Sequence, residues 1–208
     1  MPTRHLEHLL QRRPELEGAR ASIVRAYEML AEGFRAGGKV LLCGNGGSAA
    51  DADHWAGELL KGFCRERPLS KLECDGLRPE IAAKLQGALP AIPLTSFPAA
   101  LTAFGNDIDP ELAYAQLTSA LGRRGDVLIG ISTSGNAKSV CAAAEVARAK
   151  GMPVVALTAA EGGKLRELSD VCICAPVQET YLAQEYHLPI YHCLSLMLEE
   201  HFFGDRSA

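Results

Sequence analysis

The chain has 208 residues, 48% of them hydrophobic, and a formal charge of −4, which suits one globular domain with a sizeable core. No run approaches the roughly 18 apolar residues of a membrane span, and the opening MPTRHLEHLLQRRPELEG carries no apolar signal core, so a cytoplasmic protein without membrane contact is expected. The acidic balance and the absence of a Lys/Arg cluster argue against a nucleic-acid partner. The seven cysteines include no C-x-x-C pair, and Cys43, Cys141, Cys172, Cys174 and Cys193 sit in apolar runs, as buried free thiols do.

In chain order, Pro14 to Ala36 reads as a long amphipathic helix ended by Gly37-Gly38. Val40 to Cys43 is a buried strand, Gly44-Asn45-Gly46-Gly47 a tight loop, and Ser48 is placed to cap the following helix. Such a loop cradles an anion, because glycines let backbone N–H groups approach a ligand and a helix N-terminus favours negative charge; a phosphate is the expected guest. The spacing is neither G-x-G-x-x-G nor a Walker loop. His54 and Glu58 follow, four residues apart, and project from one helix face where they could share a substrate or a metal. Such a pair is most often only a solvated contact, and the loop upstream is what gives this one weight.

Arg65 to Pro90, with Pro68 and Pro79, reads as a surface excursion holding a short helix from Pro79 to Leu89. A strand follows at Ala91 to Thr95. Val127 to Ile131 is a further strand, and it ends in Ser132-Thr133-Ser134-Gly135-Asn136. Three successive hydroxyls at the carboxyl end of a strand can donate to phosphate oxygens, although the same residues could merely cap the helix up to Gly151. Strands at Val154 to Thr158 and Val171 to Cys174 complete the set. The last helix, Glu179 to Phe203, carries Pro189 as a kink, Gln184 and His192 near one face, and His187 on another side. Nearly continuous apolar strands alternating with helical patterns predict an α/β fold: a doubly wound, five-stranded parallel sheet flanked by helices. The expectation is one domain over residues 1–208, with N-terminal helices in 1–37 and the excursion at about 65–90.

The GNGGS loop with HxxxE after it, Gly105-Asn106-Asp107, GDVLIGISTSGN, ALTAAEGGKL and QEYH with a histidine five residues on together resemble the phosphoheptose isomerases of the sugar isomerase (SIS) superfamily, from Gly38 to Glu200. That resemblance implies a flavodoxin-like SIS domain that isomerises sedoheptulose 7-phosphate to a glycero-manno-heptose 7-phosphate. It also implies a homotetramer with sites between subunits and one zinc ion per subunit. By motif position it places the carbon base on Glu58 and a second acid/base on His192, with zinc ligands on His54, Glu58, Gln184 and His192. Sugar-phosphate contacts fall on Asn45, Gly46, Gly47, Ser48, Glu58, Asn106, Asp107, Ser132, Thr133, Ser134 and Gln184. Three positions depart from the family pattern. Ala137 stands where a serine is common, with Ser139 or Lys138 as substitutes; Tyr181 replaces an aspartate; and Gly62, beside Lys61, replaces an arginine. The alternatives are a related sugar-phosphate isomerase or lyase, and a non-catalytic SIS-domain regulator that binds the replication initiator; such regulators lack the glutamate and final histidine that this chain has.

Overall fold

In the computed structural model, which describes residues 3–204, five strands form one parallel sheet. They are β1 Val40–Gly44, β2 Ala91–Pro93, β3 Val127–Ile131, β4 Val154–Thr158 and β5 Val171–Cys174, in the order β2-β1-β3-β4-β5. Successive side chains on a strand point to opposite faces, and here each face meets its own core. Val40, Leu42, Ile129, Val155 and Leu157 enter one core, while Leu41, Cys43, Leu128, Val154 and Ala156 enter the other. Burial on both faces is why β1, β3 and β4 read as unbroken apolar runs.

The first core is closed by helices α1 Thr3–Arg12, α2 Arg20–Arg35, α3 Gly47–Leu60 and α9 Thr180–Phe203. The second is closed by α6 Ala113–Leu121, α7 Lys138–Ala149 and α8 Gly163–Leu168. Short helices α4 Pro79–Ala82 and α5 Pro98–Asp107 flank β2 in sequence. No helix among the described residues is long and apolar enough to cross a membrane.

Four expectations are corrected. The long helix from Pro14 to Ala36 is divided: Pro14–Ala19 is a 3-10 turn and α2 starts at Arg20; Pro14, with Arg13 out of helical geometry before it, sets the turn apart from α1, and Gly18 weakens α-helix within it. The strand expected to Thr95 stops at Pro93, and Leu94–Ser96 is a 3-10 turn; Pro93 is tolerated because β2 is the sheet edge. The helix expected from Pro79 to Leu89 closes at Ala82. Ser48 is not the cap: α3 begins at Gly47, and its N-cap is Gly46, at φ 57°, a conformation that favours glycine. Residues 1–2 and 205–208 of the expected domain lie outside the described residues.

The excursion is anchored by a buried ion pair. Arg67 and Glu199, each 1% exposed, meet at 2.9 Å, and Glu199 also accepts the N–H groups of Phe63 and Cys64 at 2.8 and 2.9 Å. Arg67 donates its other N–H groups to the carbonyls of Leu59 (2.8 Å) and Glu58 (3.1 Å), filling acceptors that the end of α3 leaves open. The guanidinium sits 4.7 Å from the centre of the Phe203 ring. A charge pair buried from solvent thus ties the end of α3 to α9.

Candidate active site

Helices α3 and α9 bring the sequence-predicted acid/base residues together. His54, Glu58 and His192 each offer one ligand atom, and these atoms lie within 4.8 Å of one another. Glu58 Oε1 is 3.1 Å from His54 Nε2, while Glu58 Oε2 and His192 Nε2 are buried with no protein partner. Buried polar atoms are nearly always paired, so two unpaired ones on residues of the same cluster mark it as a place for a ligand. The rings of His54 and His192 meet edge to face, with centroids 5.2 Å apart. Burial, and then the neighbouring His54, hold the His192 imidazole below its usual pKa. His192 is therefore neutral at neutral pH.

Tyr191 and Asp51 belong to this site and escaped the sequence reading. The Tyr191 hydroxyl lies 2.9 Å from His54 Nδ1 and donates to Asp51 Oδ1 at 3.3 Å. Its ring stacks on Trp55 at 18°. The Tyr191 hydroxyl thus links Asp51 to His54 Nδ1 and fixes the imidazole so that its Nε2 faces Glu58. Asp51 stands three residues before His54 on the same helix, a spacing that could have revealed it. Tyr191 is a single aromatic in an apolar helix and gives no such signal.

The two loops meet as expected of the carboxyl end of a parallel sheet. Asn45, after β1, donates to Ser139 Oγ at 3.0 Å. Ser139 therefore stands at the first loop, whereas Lys138 is drawn off to Glu111 at 3.0 Å. Of the two groups that could stand in for the serine missing at Ala137, Ser139 has the position. A Cβ on Gly47 would lie 2.5 Å from Gln184 Nε2, so glycine is what lets the Gln184 amide lie against the first loop. The amides of Ser48, Ala49 and Ala50 bond back to the carbonyls of Asn45 and Gly46; they close the first turn and are not aimed into the crevice.

In the second loop Ser134 is exposed and its Oγ accepts from the Asn136 N–H at 3.1 Å. Thr133 reaches Thr180 of α9 at 3.4 Å. Ser132 is 5% exposed, with Oγ turned to the Ala137 N–H at 3.4 Å. Ser48 is likewise buried. Asn106 and Asp107 lie exposed at the end of α5, and the amide of Asn106 donates to Asp107 at 2.9 Å. His187 is fully buried, with Nε2 3.1 Å from the Thr158 carbonyl, a core histidine rather than part of the cluster.

Gly62 has a steric cause. A Cβ there would come 2.5 Å from the Arg65 carbonyl, so the turn that leads Arg67 back to α3 leaves no room for an arginine side chain. Tyr181 is 64% exposed. On the far side of His192 a cavity of about 320 Å³ opens between α1 and α9, lined among others by His5, His8, Arg12, Phe63 and Glu185.

Two signatures described as SIS domain match the chain, over residues 6–74 and 106–198. A phosphoheptose isomerase from Roseiflexus sp. (strain RS-1) is 42% identical over 194 residues, covering 93% of this chain and 89% of the relative. This chain belongs to the phosphoheptose isomerase family. A phosphoheptose isomerase from Helicobacter pylori (strain P12) is 39% identical, with 95% and 93% coverage. Among solved structures, the phosphoheptose isomerase from Neisseria gonorrhoeae superposes with a TM-score of 0.76 at 33% identity, covering 95% of this chain and 96% of that one. The one from Francisella tularensis gives 0.77 at 32% identity. The phosphoheptose isomerase fold thus spans nearly the whole chain, and the sheet order here is that of its flavodoxin-like architecture.

Proposed function

We propose that this chain isomerises sedoheptulose 7-phosphate to D-glycero-D-manno-heptose 7-phosphate through an enediol, using Glu58 and His192. The observation that carries this reading is the convergence of Glu58 and His192, with ligand atoms within 4.8 Å of each other and with Glu58 Oε2 and His192 Nε2 buried and unpaired, from two helices that also adjoin the two loops. Ketose to aldose conversion moves a proton between neighbouring carbons and needs one group for the carbon proton and another for oxygen. Glu58 takes the proton from the hydroxymethyl carbon at Oε2 and returns it to the former carbonyl carbon. His192, neutral at working pH, exchanges a proton with the substrate oxygen. The exposed hydroxyl of Ser134, with Thr133, Ser139 and Asn45, holds the phosphate end. Sedoheptulose 7-phosphate incubated with the purified protein gives the aldose; a protein that binds the ketose without turning it over points instead to the regulator reading.

The donor set fits zinc. Nitrogen and oxygen ligands bind it at about 2.0–2.2 Å, which sets two of them about 3.4 Å apart on a tetrahedral ion, and the His54, Glu58 and His192 atoms, within 4.8 Å of one another, would draw together around it. His54 Nε2 and Glu58 Oε1 already lie 3.1 Å apart, near the separation of two ligands on one zinc ion, about 3.4 Å. His54, Glu58 and His192 would hold the ion, with Gln184 the fourth ligand expected from the family motif. Bound there, zinc supplies Lewis acidity toward the substrate carbonyl. Elemental analysis is expected to find about one zinc per chain, and chelation to lower activity; full activity without metal would leave these residues as acid/base and hydrogen-bonding groups only.

Tyr191→Phe is expected to weaken zinc binding by about 10- to 100-fold, the usual cost of removing a group that orients a histidine ligand. Competition with a chromophoric chelator measures it, and an unchanged affinity would show that Tyr191 only packs.

The site is completed by subunit association in this reading, as a homotetramer. Leu188 and Tyr181 on α9 are exposed, and α1 and α9 leave between them the cavity that reaches His192. Light scattering is expected to return a tetramer, and a fully active monomer would contradict it.

A further inference from the structure

On the sheet face opposite α3 and α9, away from the cluster of His54, Glu58 and His192, two cysteines stand side by side. Cys172 and Cys174 occupy alternate positions on the edge strand β5, so their side chains share a face. Their sulfurs are 3.5 Å apart, and both lie 3.4 Å from Thr158 Oγ1 on β4. Both residues are half-buried, so the pair is reachable from solvent and largely walled off from it.

We infer that Cys172 and Cys174 form a binding site for one soft, thiophilic metal ion, separate from the isomerase centre. The spacing is the first reason. Sulfur ligands stand about 2.3 Å from a tetrahedral d10 ion, which places two of them about 3.8 Å apart. The observed 3.5 Å meets this with a shift of a few tenths of an ångström and no movement of the strand.

A disulfide does not fit the same pair. Residues two apart on a strand are separated by about 6.6 Å, and their Cβ atoms by a similar distance, whereas a disulfide brings Cβ atoms to about 3.8 Å. Regular pairing of β5 with β4 from Val171 to Cys174 holds the strand extended. The dithiol therefore stays reduced and open to coordination.

The surroundings also favour the metal-binding form. Thr158 Oγ1 lies 3.4 Å from both sulfurs and is a donor to Cys174 Sγ, so a hydroxyl stands at the point where the two thiols meet. The contact with Cys172, then Thr158 and the nearby Arg166, hold the Cys174 thiol below its usual value. Thiolate is the form that binds metal. Binding is balanced as two S–H groups and one M²⁺ giving a metal dithiolate and two protons released to solvent. Paired thiolates select soft ions such as Cd²⁺ over Mg²⁺ or Ca²⁺.

Cadmium titration of the reduced protein tests this directly, because the cluster of His54, Glu58 and His192 holds no sulfur and cannot give a thiolate-to-metal charge-transfer band. The expected result is a saturable ultraviolet band at one equivalent, lost in Cys172→Ser and in Cys174→Ser and retained in Glu58→Gln. Both serine variants are expected to keep isomerase activity, which separates this site from the catalytic one and shows that they fold. A band that survives in the double serine variant, or no band in the wild type, overturns the inference.

Discussion

Glu58→Gln and His192→Asn each lower turnover of sedoheptulose 7-phosphate by about 10²- to 10⁴-fold, the contribution of a positioned acid or base. Both substitutions keep size and hydrogen-bonding capacity and remove the titrating function, so folding and assembly are expected to survive them. The acid limb of the wild-type pH profile follows from His192. Its pKa is lowered by burial and by His54, so the neutral form persists below the usual imidazole value of about 6.5, and activity falls only as pH drops through the lowered value. In His192→Asn this limb disappears. Because Glu58 and His192 are also proposed metal ligands, zinc content is measured beside the rate. A slow variant with full zinc has lost its acid or base, and one without zinc has lost a ligand. Rates near wild type with unchanged zinc would place the chemistry elsewhere.

Arg67→Met destabilises the fold by about 3–5 kcal/mol, because it leaves Glu199 as an uncompensated charge in a buried site. The pair contributes through its setting: Arg67 also closes the end of α3 through the Glu58 and Leu59 carbonyls, and Glu199 also accepts from Phe63 and Cys64. Burial alone pushes Glu199 up, but the two N–H groups and Arg67 outweigh it and hold the carboxyl below its usual value. A depressed carboxylate adds stability that is fully present above its unfolded pKa, about 4.3, and is lost as pH falls through the folded value. Chemical denaturation across pH 2 to 7 is therefore expected to show wild-type stability declining below about pH 4.3 and a smaller decline in Arg67→Met. Adding Glu199→Gln to Arg67→Met is expected to recover part of the loss, since an amide costs less to bury than a charge. Equal denaturation midpoints for wild type and Arg67→Met would show that the pair contributes nothing net.

The sheet was legible because its strands are buried on both faces, so Val40 to Cys43 and Val127 to Ile131 needed no periodicity to stand out. Boundaries were less legible where backbone chemistry competed with pattern. The apolar spacing of Leu16, Ile23 and Leu30 runs on from the 3-10 turn into α2, and it concealed the break between them. At the first loop, Ser48 has the chemistry of a cap, but Gly46 had already taken that position through its positive φ.

The cluster of His54, Glu58 and His192 was readable from spacing within α3 and from histidines in α9. What joins them was not. Tyr191 reaches Asp51 and His54 across 140 and 137 residues of sequence, and Arg67 reaches Glu199 across 132. In sequence Arg67 is one of several charged residues in a Pro-rich stretch, with nothing to distinguish it from its solvated neighbours. Contacts of this length are set by how the sheet brings α3 and α9 together, and local patterns carry no trace of them.

Proton nuclear magnetic resonance of the zinc-loaded protein with sedoheptulose 7-phosphate in D₂O tests the central claim most directly. An enediol formed by Glu58 exchanges its proton with solvent, so the account predicts D-glycero-D-manno-heptose 7-phosphate carrying deuterium at C2, and a rate that falls about 10²- to 10⁴-fold with Glu58→Gln. Ketose that binds and remains unconverted, or aldose formed at an undiminished rate by Glu58→Gln with its zinc retained, would contradict it.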